Sequence, residues 1–338
     1  DERAYEVEDP VLRANAAILA HLHTASPLPP ELVRPARFPA LALMIARSGP
    51  WLPAADLAVL ADVVLFIFAA DDLADEGDLS IDDLAHRFEQ YAACLAGREC
   101  PELRYDPIAR AASSIAARLA AAPLGAALWP AWSARVGEFL GSMITEKQLS
   151  AALAAARAVD LDTYLEAGRH TVGVAMVSTA AWMLIGEPAA ASAFPALRAA
   201  ERHLSCAARL ANDLRSQERE RDEGSANAVF VVGPGGDALL RRMLVDELTL
   251  GRAELARRNL DAECKHFDFD KVRAQTQSKW QRQLSKIQVE GDNDDQKTIF
   301  YTALYHTMVA PNIWSDVDGH YRGRDNKIHQ SKEHDVYT

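Results

Sequence analysis

The chain has 338 residues, 49% of them hydrophobic and 25% charged, with 36 basic against 48 acidic side chains and a net charge of -12. That composition can bury a large core and excludes a mainly disordered chain, and the length allows about two domains. The acidic balance argues against a nucleic-acid partner held by a basic face, but not against an anionic small molecule brought in with a metal.

Cys94, Cys100, Cys206 and Cys264 are scattered and form no CxxC, so neither a disulfide framework nor a structural zinc site is indicated. The sequence opens at Asp1 without a basic and then apolar leader, so no signal peptide is expected. The most apolar stretch, Ala54 to Ala70, is interrupted by Asp56 and Asp62 and is shorter than a membrane span. The expectation is a buried helix in a cytoplasmic protein.

Helices are expected through most of the chain, because Ala, Leu and Arg, all strong helix formers, dominate residues 1–258. The breakers fall at Pro27-Leu28-Pro29-Pro30, Gly49-Pro50, Gly77, Gly97, Pro123, Gly186 and Gly224. Pro53 suits the first position of the helix over Ala54 to Ala70. No stretch alternates at period two and no repeat stands out. An all-α helical bundle follows.

Composition changes near residue 258. Lys147 is the one lysine before that point, and seven follow it. Glutamine rises from three to seven, while alanine falls from 58 in 258 residues to 4 in 80. Residues 1–258 and 259–338 therefore read as segments of different origin. In the second, Asp270 to Val289 is expected as one amphipathic helix with Val272, Trp280, Leu284 and Ile287 on one side. Ile299 to Val309 is expected as another, stopped by Pro311, and Asn312 to Lys327 as loop.

Two polar clusters carry chemistry. The apolar helix runs into Asp71-Asp72-Leu73-Ala74-Asp75-Glu76. Asp71 and Asp75 share a helix face with Asp72 beside them, at a helix end whose dipole disfavours negative charge. A hard divalent cation such as Mg²⁺ would relieve both problems; a solvated acidic turn is the alternative. The second cluster is Asn212-Asp213-Leu214-Arg215-Ser216-Gln217-Glu218-Arg219-Glu220. Asn212, Ser216 and Glu220 stack at i, i+4 and i+8, offering an amide oxygen, a hydroxyl and a carboxylate to a second hard cation. Arg219 could reach an anion on that metal. An exposed polar helix face is the alternative here.

Together the two clusters, 141 residues apart, resemble the aspartate-rich motif and the NSE triad of bacterial class I terpene cyclases. The resemblance covers about residues 1–258. It implies an α-helical bundle whose cavity takes a linear prenyl diphosphate, C15 or C20, bridged to the motifs by three Mg²⁺ ions, with Mn²⁺ as a substitute. The implied metal ligands are Asp71, Asp72, Asp75, Asn212, Ser216 and Glu220, with Asp71 foremost in its motif. Gly168-Arg169-His170-Thr171-Val172-Gly173 is similar to the family's diphosphate sensor, with Arg169 as sensor, Val172 as linker and Gly173 as effector. Arg169 and Arg219 would contact the diphosphate.

Phe66, Phe68, Trp129, Trp132, Phe139, Tyr164 and Trp182 are available to line an apolar cavity. Phe66 and Phe68 are best placed by their closeness to Asp71. The implied reaction is ionisation and cyclisation with release of diphosphate. The family's usual Arg-Tyr pair does not occur after Glu220, where only Tyr321-Arg322 stands in reverse order. A homodimer is left open, and no membrane span is expected.

The tail resembles something else. Phe267 to Arg273, Phe300 to Thr307 and Asp316 to Gly323 are similar to family 92 of the glycoside hydrolases. That family implies calcium-dependent exo-acting α-mannosidases with an (α/α)₆ barrel, but the stretch is a fragment and no mannosidase catalytic residue is carried over. Asp316 to Asp325 reads as a solvated loop in preference to a cation site. The alternative for the whole chain is a fusion in which the helical part only binds prenyl diphosphate.

Overall fold

A computed structural model describes residues 9–76, 78–263, 268–291, 293–309, 315, 319–323, 328–331 and 336. Two compact units divide the chain, residues 1–252 and 253–338. The first is helical throughout its regular elements. In chain order these are α1 (Pro10–Thr24), α2 (Phe38–Ser48), α3 (Ala54–Glu76), α4 (Ile81–Leu95), α5 (Pro107–Ala120), α6 (Gly125–Ala154), α7 (Leu161–Thr171), α8 (Val174–Ile185), α9 (Pro188–Glu223), α10 (Ala228–Val232) and the start of α11 (Asp237–Glu263), whose last residues, from Ala253, belong to the second unit.

Local chemistry sets the helix starts. Asp9 accepts from Val11 N at the head of α1, Ser80 from Asp83 N at α4, Asp106 from Ala109 N at α5 and Asp160 from Thr163 N at α7. Each side chain satisfies a backbone N–H that has no partner inside its helix. Pro10 and Pro107 occupy first-turn positions where no N–H is needed.

α3 is the axial helix. It packs against α1, α2, α5, α6 and α8, and its buried residues, from Leu57 to Ala74, point in every direction around its axis. An apolar stretch with no polar stripe has to be covered on all sides. Asp62, wholly buried within it, accepts hydrogen bonds from Ser26 Oγ at 2.8 Å and from Arg118, and lies 2.9 Å from His21 Nε2. α1, the following loop and α5 thus supply the partners that an isolated buried carboxylate requires. A second, smaller core joins Tyr164 and Leu165 of α7 to Leu210 of α9, Ala228 and Val229 of α10 and Leu240 of α11.

The second unit holds α12 (Phe269–Leu284), α13 (Asp294–Val309) and a short antiparallel pair, β1 (His320–Arg322) with β2 (Ile328–Gln330), in the register Tyr321 opposite His329. α12 stops at Leu284, short of the expected Val289, and α13 begins at Asp294, before the expected Ile299. No residue of α12 is buried. Trp280 meets Tyr305 with ring centroids 4.6 Å apart. The stretch expected as loop carries β1, so Tyr321 and Arg322 sit on a strand. Cys264, Asp316, Asp318 and Asp325 lie outside the described residues.

Candidate active site

The acidic motif closes α3. Asp71 is partly exposed, yet burial, together with the charges of Asp75, Glu146 and Asp72, pushes its carboxyl up to about 7, with Arg209 opposing the shift. Oxygen donors crowded so that burial and like charge raise the proton affinity of one of them suit a hard divalent cation, so the donor set fits Mg²⁺. Lys147 Nζ donates to the Ala74 carbonyl, placing a positive charge on the helix end where the dipole favours one. Asp75 is exposed, and the side chain of Glu76 lies outside the described residues.

Asp72 faces elsewhere. Arg37 Nη1 and Nη2 donate to its two carboxylate oxygens at 2.9 Å each, and Arg34 Nη2 lies 3.7 Å away. The Arg37 guanidinium also sits 5.0 Å above the centre of the Phe68 ring. Phe66 is fully enclosed and meets Tyr91 edge-on at 6.2 Å. Trp132 Nε1 donates to the Leu95 carbonyl at 2.9 Å.

The second motif lies on α9. Asn212 is exposed, Ser216 partly exposed and Glu220 buried. Ser216 Oγ donates to the Asn212 carbonyl at 2.7 Å. Glu220 accepts from Asn227 Nδ2 at 2.8 Å and from Arg219 Nη2 at 3.2 Å. Among the described residues, no three histidine, cysteine, aspartate or glutamate side chains converge into a cage for one ion. Mg²⁺ characteristically takes one or two protein carboxylates and completes its sphere with water and phosphate oxygens.

Residues Gly168 to Gly173 run through the end of α7 and form the break before α8. Val172 caps α7, its N–H donating to the Gly168 carbonyl at 3.1 Å. Gly173 follows at φ +75°, and a Cβ there would lie 2.7 Å from Ile67 Cδ1. Only glycine combines that backbone with that approach, and Ile67 belongs to the helix that carries Asp71. Arg169 Nε donates to Glu166 Oε2 at 2.8 Å, and its Nη2 bonds the other Glu166 oxygen. Burial and the Arg169 charge hold the neighbouring His170 below its ordinary value.

Sequence reasoning missed the polar network beneath the two motifs. Tyr164 Oη donates to Asp213 Oδ2 at 2.8 Å, Ala228 N donates to the same oxygen at 3.1 Å, and Asn227 Nδ2 donates to the Asp213 carbonyl at 2.9 Å. Burial pushes Asp213 up to about 6 against the pull of Arg209. Arg209 Nη2 lies 2.7 Å from Glu146 Oε1. Two signals were present in the sequence. Arg209 and Asp213 are spaced i, i+4, and Glu146-Lys147 are the only charges between Phe139 and Ala156.

A family model described as terpene synthase family 2, C-terminal metal binding, matches residues 62–233, just over half of the chain and wholly within the first unit. Another, described as the glycosyl hydrolase family 92 catalytic domain, matches residues 255–338. No curated protein matches. Among solved structures, the linalool/nerolidol synthase of Streptomyces clavuligerus in complex with 2-fluorogeranyl diphosphate aligns with a TM-score of 0.58 at 23% identity, over 73% of this chain and 82% of that one. A point variant of cucumene synthase aligns at 0.58 and 17% identity, covering 76% and 86%. An α-eudesmol synthase aligns at 0.57 and 20% identity, covering 79% and 89%. These likenesses share the all-α fold. With the family match spanning both polar motifs, the chain belongs to terpene synthase family 2 and is a class I terpene synthase.

Proposed function

We propose that the chain ionises a linear prenyl diphosphate of C15 or C20 length in the presence of Mg²⁺ and closes it to a cyclic terpene. The observation that supports this most directly is that Asp71 and Asp75, one turn apart at the end of the apolar axial helix, and Asn212, Ser216 and Glu220 along α9 both fall within the stretch matched by the metal-binding terpene synthase family model. Asp71 from α3 and Asn212, Ser216 and Glu220 from α9 would hold the ions. Asp72 is committed to Arg37 and would act by anchoring the residues before α2, while Asp75 adds charge at the rim.

When bound, the cations supply neutralisation of the leaving diphosphate. Arg169 and Arg219 would add a guanidinium fork each, Arg169 by exchanging Glu166 for phosphate oxygens. The carbon–oxygen bond then breaks with its electron pair leaving on the diphosphate, and a distal double bond of the substrate closes on the allylic cation. Val172 and Gly173 would turn a backbone carbonyl toward the reacting chain at the α7–α8 break. Proton loss or capture of water ends the sequence.

A second reading, prenyl diphosphate binding without turnover in a fusion, has two observations in its favour. The match to glycosyl hydrolase family 92 begins at residue 255, and no Arg-Tyr pair follows Glu220. Incubating the chain with C10, C15 and C20 prenyl diphosphates, with Mg²⁺ or with EDTA, and analysing extracts by gas chromatography and mass spectrometry separates the two. A cyclic hydrocarbon or alcohol formed only with Mg²⁺ is the expected result. Absence of product from a folded chain that still binds the diphosphate would favour the second reading.

A further inference from the structure

Arg209 lies one helical turn before Asn212 on α9, and its guanidinium is enclosed. Its Nε donates to Tyr164 Oη at 3.0 Å and lies 2.8 Å from Asp213 Oδ1. Nη1 donates to Thr171 Oγ1 at 3.3 Å, and Nη2 donates to the Ala226 carbonyl at 3.4 Å. Nη2 also bonds the Tyr164 hydroxyl and lies 2.7 Å from Glu146 Oε1. The stem crosses α7 where a side chain would obstruct it: a Cβ on Gly168 would meet Arg209 Cγ at 2.8 Å. One cation therefore touches α6, α7, α9 and the turn before α10.

The charge around it is lopsided. Glu146 and Asp213 contact Arg209 directly, and Glu146 is among the groups that act on Asp71. A buried guanidinium placed among several carboxylates cannot neutralise them all. It is a fixed cation with a fixed position, which is what a site needs if it must stay assembled before mobile cations enter.

We propose that Arg209 is the resident counter-cation of the acidic site, a positioning residue that keeps Glu146 and Asp213 in register until divalent cations with a diphosphate take over the neutralisation. This rests on the metal-site reading given above. A merely structural arginine would cost the same stability whether or not the site is filled. A counter-cation would cost less once added cations do its work.

Thermal unfolding of the full chain tests this, with and without Mg²⁺ plus inorganic diphosphate, for the wild type, Arg209→Lys, Arg209→Gln and Glu146→Gln. The wild type should rise in melting temperature with the additives, as ligand linkage requires, and Arg209→Gln should start lower and rise about twice as far. Arg209→Lys should fall between them. Glu146→Gln, which removes one charge at a partly exposed position, should rise less than the wild type. It keeps the test decisive if Arg209→Gln does not fold. Equal rises in all four chains would overturn the counter-cation role and leave the metal site standing. No rise in the wild type would overturn the metal-site reading, and this proposal with it.

Discussion

Asp72 gives both carboxylate oxygens to Arg37, at 2.9 Å each, while Asp71 beside it is half-buried among the charges of Asp75, Glu146 and Arg209. Two adjacent aspartates on one helix thus point to different neighbours, because successive helical side chains are about 100° apart. The acidic motif divides into a carboxylate crowded by other carboxylates and an anchor for the residues that lead into α2.

The division predicts different responses. Asp72→Asn and Arg37→Ala should each lower stability, and a double-mutant cycle in urea should return a coupling of about 1 kcal/mol, since the pair is bidentate but partly exposed. Asp71→Asn should leave stability intact, or raise it by relieving repulsion, and abolish the response to Mg²⁺ and diphosphate. A cycle that returns no coupling, or an Asp72→Asn chain that loses the Mg²⁺ response as fully as Asp71→Asn, would place Asp72 among the metal ligands instead.

α3 was legible because seventeen largely apolar residues from Ala54 to Ala70 leave a helix no choice but burial. Most helix ends were legible because glycine and proline mark them. The break between α6 and α7 was not: Ala151 to Ala158 contains neither residue, and the chain turns with Ala156 at φ +52°. The readable signal there was Asp160 with Thr163, an N-cap rather than a breaker. Partners distant in sequence were invisible for another reason. Arg37 and Asp72 are 35 residues apart, and Arg209 and Glu146 are 63 apart, so helical periodicity says nothing about either pair. In the tail, α12 ends five residues early, and Ile287 beyond it remains exposed.

Asp62 gives a stability prediction. Its charge is fully buried and held by His21, Ser26 and Arg118. Removing one member of a buried ionic group leaves the others unpaired, which costs about 3–5 kcal/mol. Asp62→Ala should lower the urea midpoint by a corresponding amount, whereas Ser26→Ala should cost about 1 kcal/mol. A loss from Asp62→Ala no larger than that from Ser26→Ala would show that the cluster is open to water.

The α7–α8 break gives a second. Gly173→Ala would combine a left-handed backbone with a Cβ 2.7 Å from Ile67 Cδ1. The two strains together should cost about 1–3 kcal/mol. Ile67→Val removes the opposing methyl group and by itself should cost about 1 kcal/mol. The double variant should therefore be more stable than the two single losses predict, and strict additivity would mean the strain lies in the backbone alone.

His170 provides the pH dependence. Burial first, then Arg169 and Arg135, lower its proton affinity, while Glu138 at 3.6 Å and Glu166 at 3.8 Å act in the opposite sense. A histidine whose folded value lies below its ordinary value of about 6.5 binds its proton more readily when unfolded. The native state is then fully favoured above that pH, and the advantage disappears as the pH falls below it toward the folded value. His170→Gln removes this titration and keeps a polar side chain of similar length. Between about pH 8 and pH 5.5, the urea midpoint of the wild type should fall more steeply than that of the variant. Parallel profiles would mean that Glu138 and Glu166 offset the burial, and that His170 takes up its proton in the folded chain as easily as in the unfolded one.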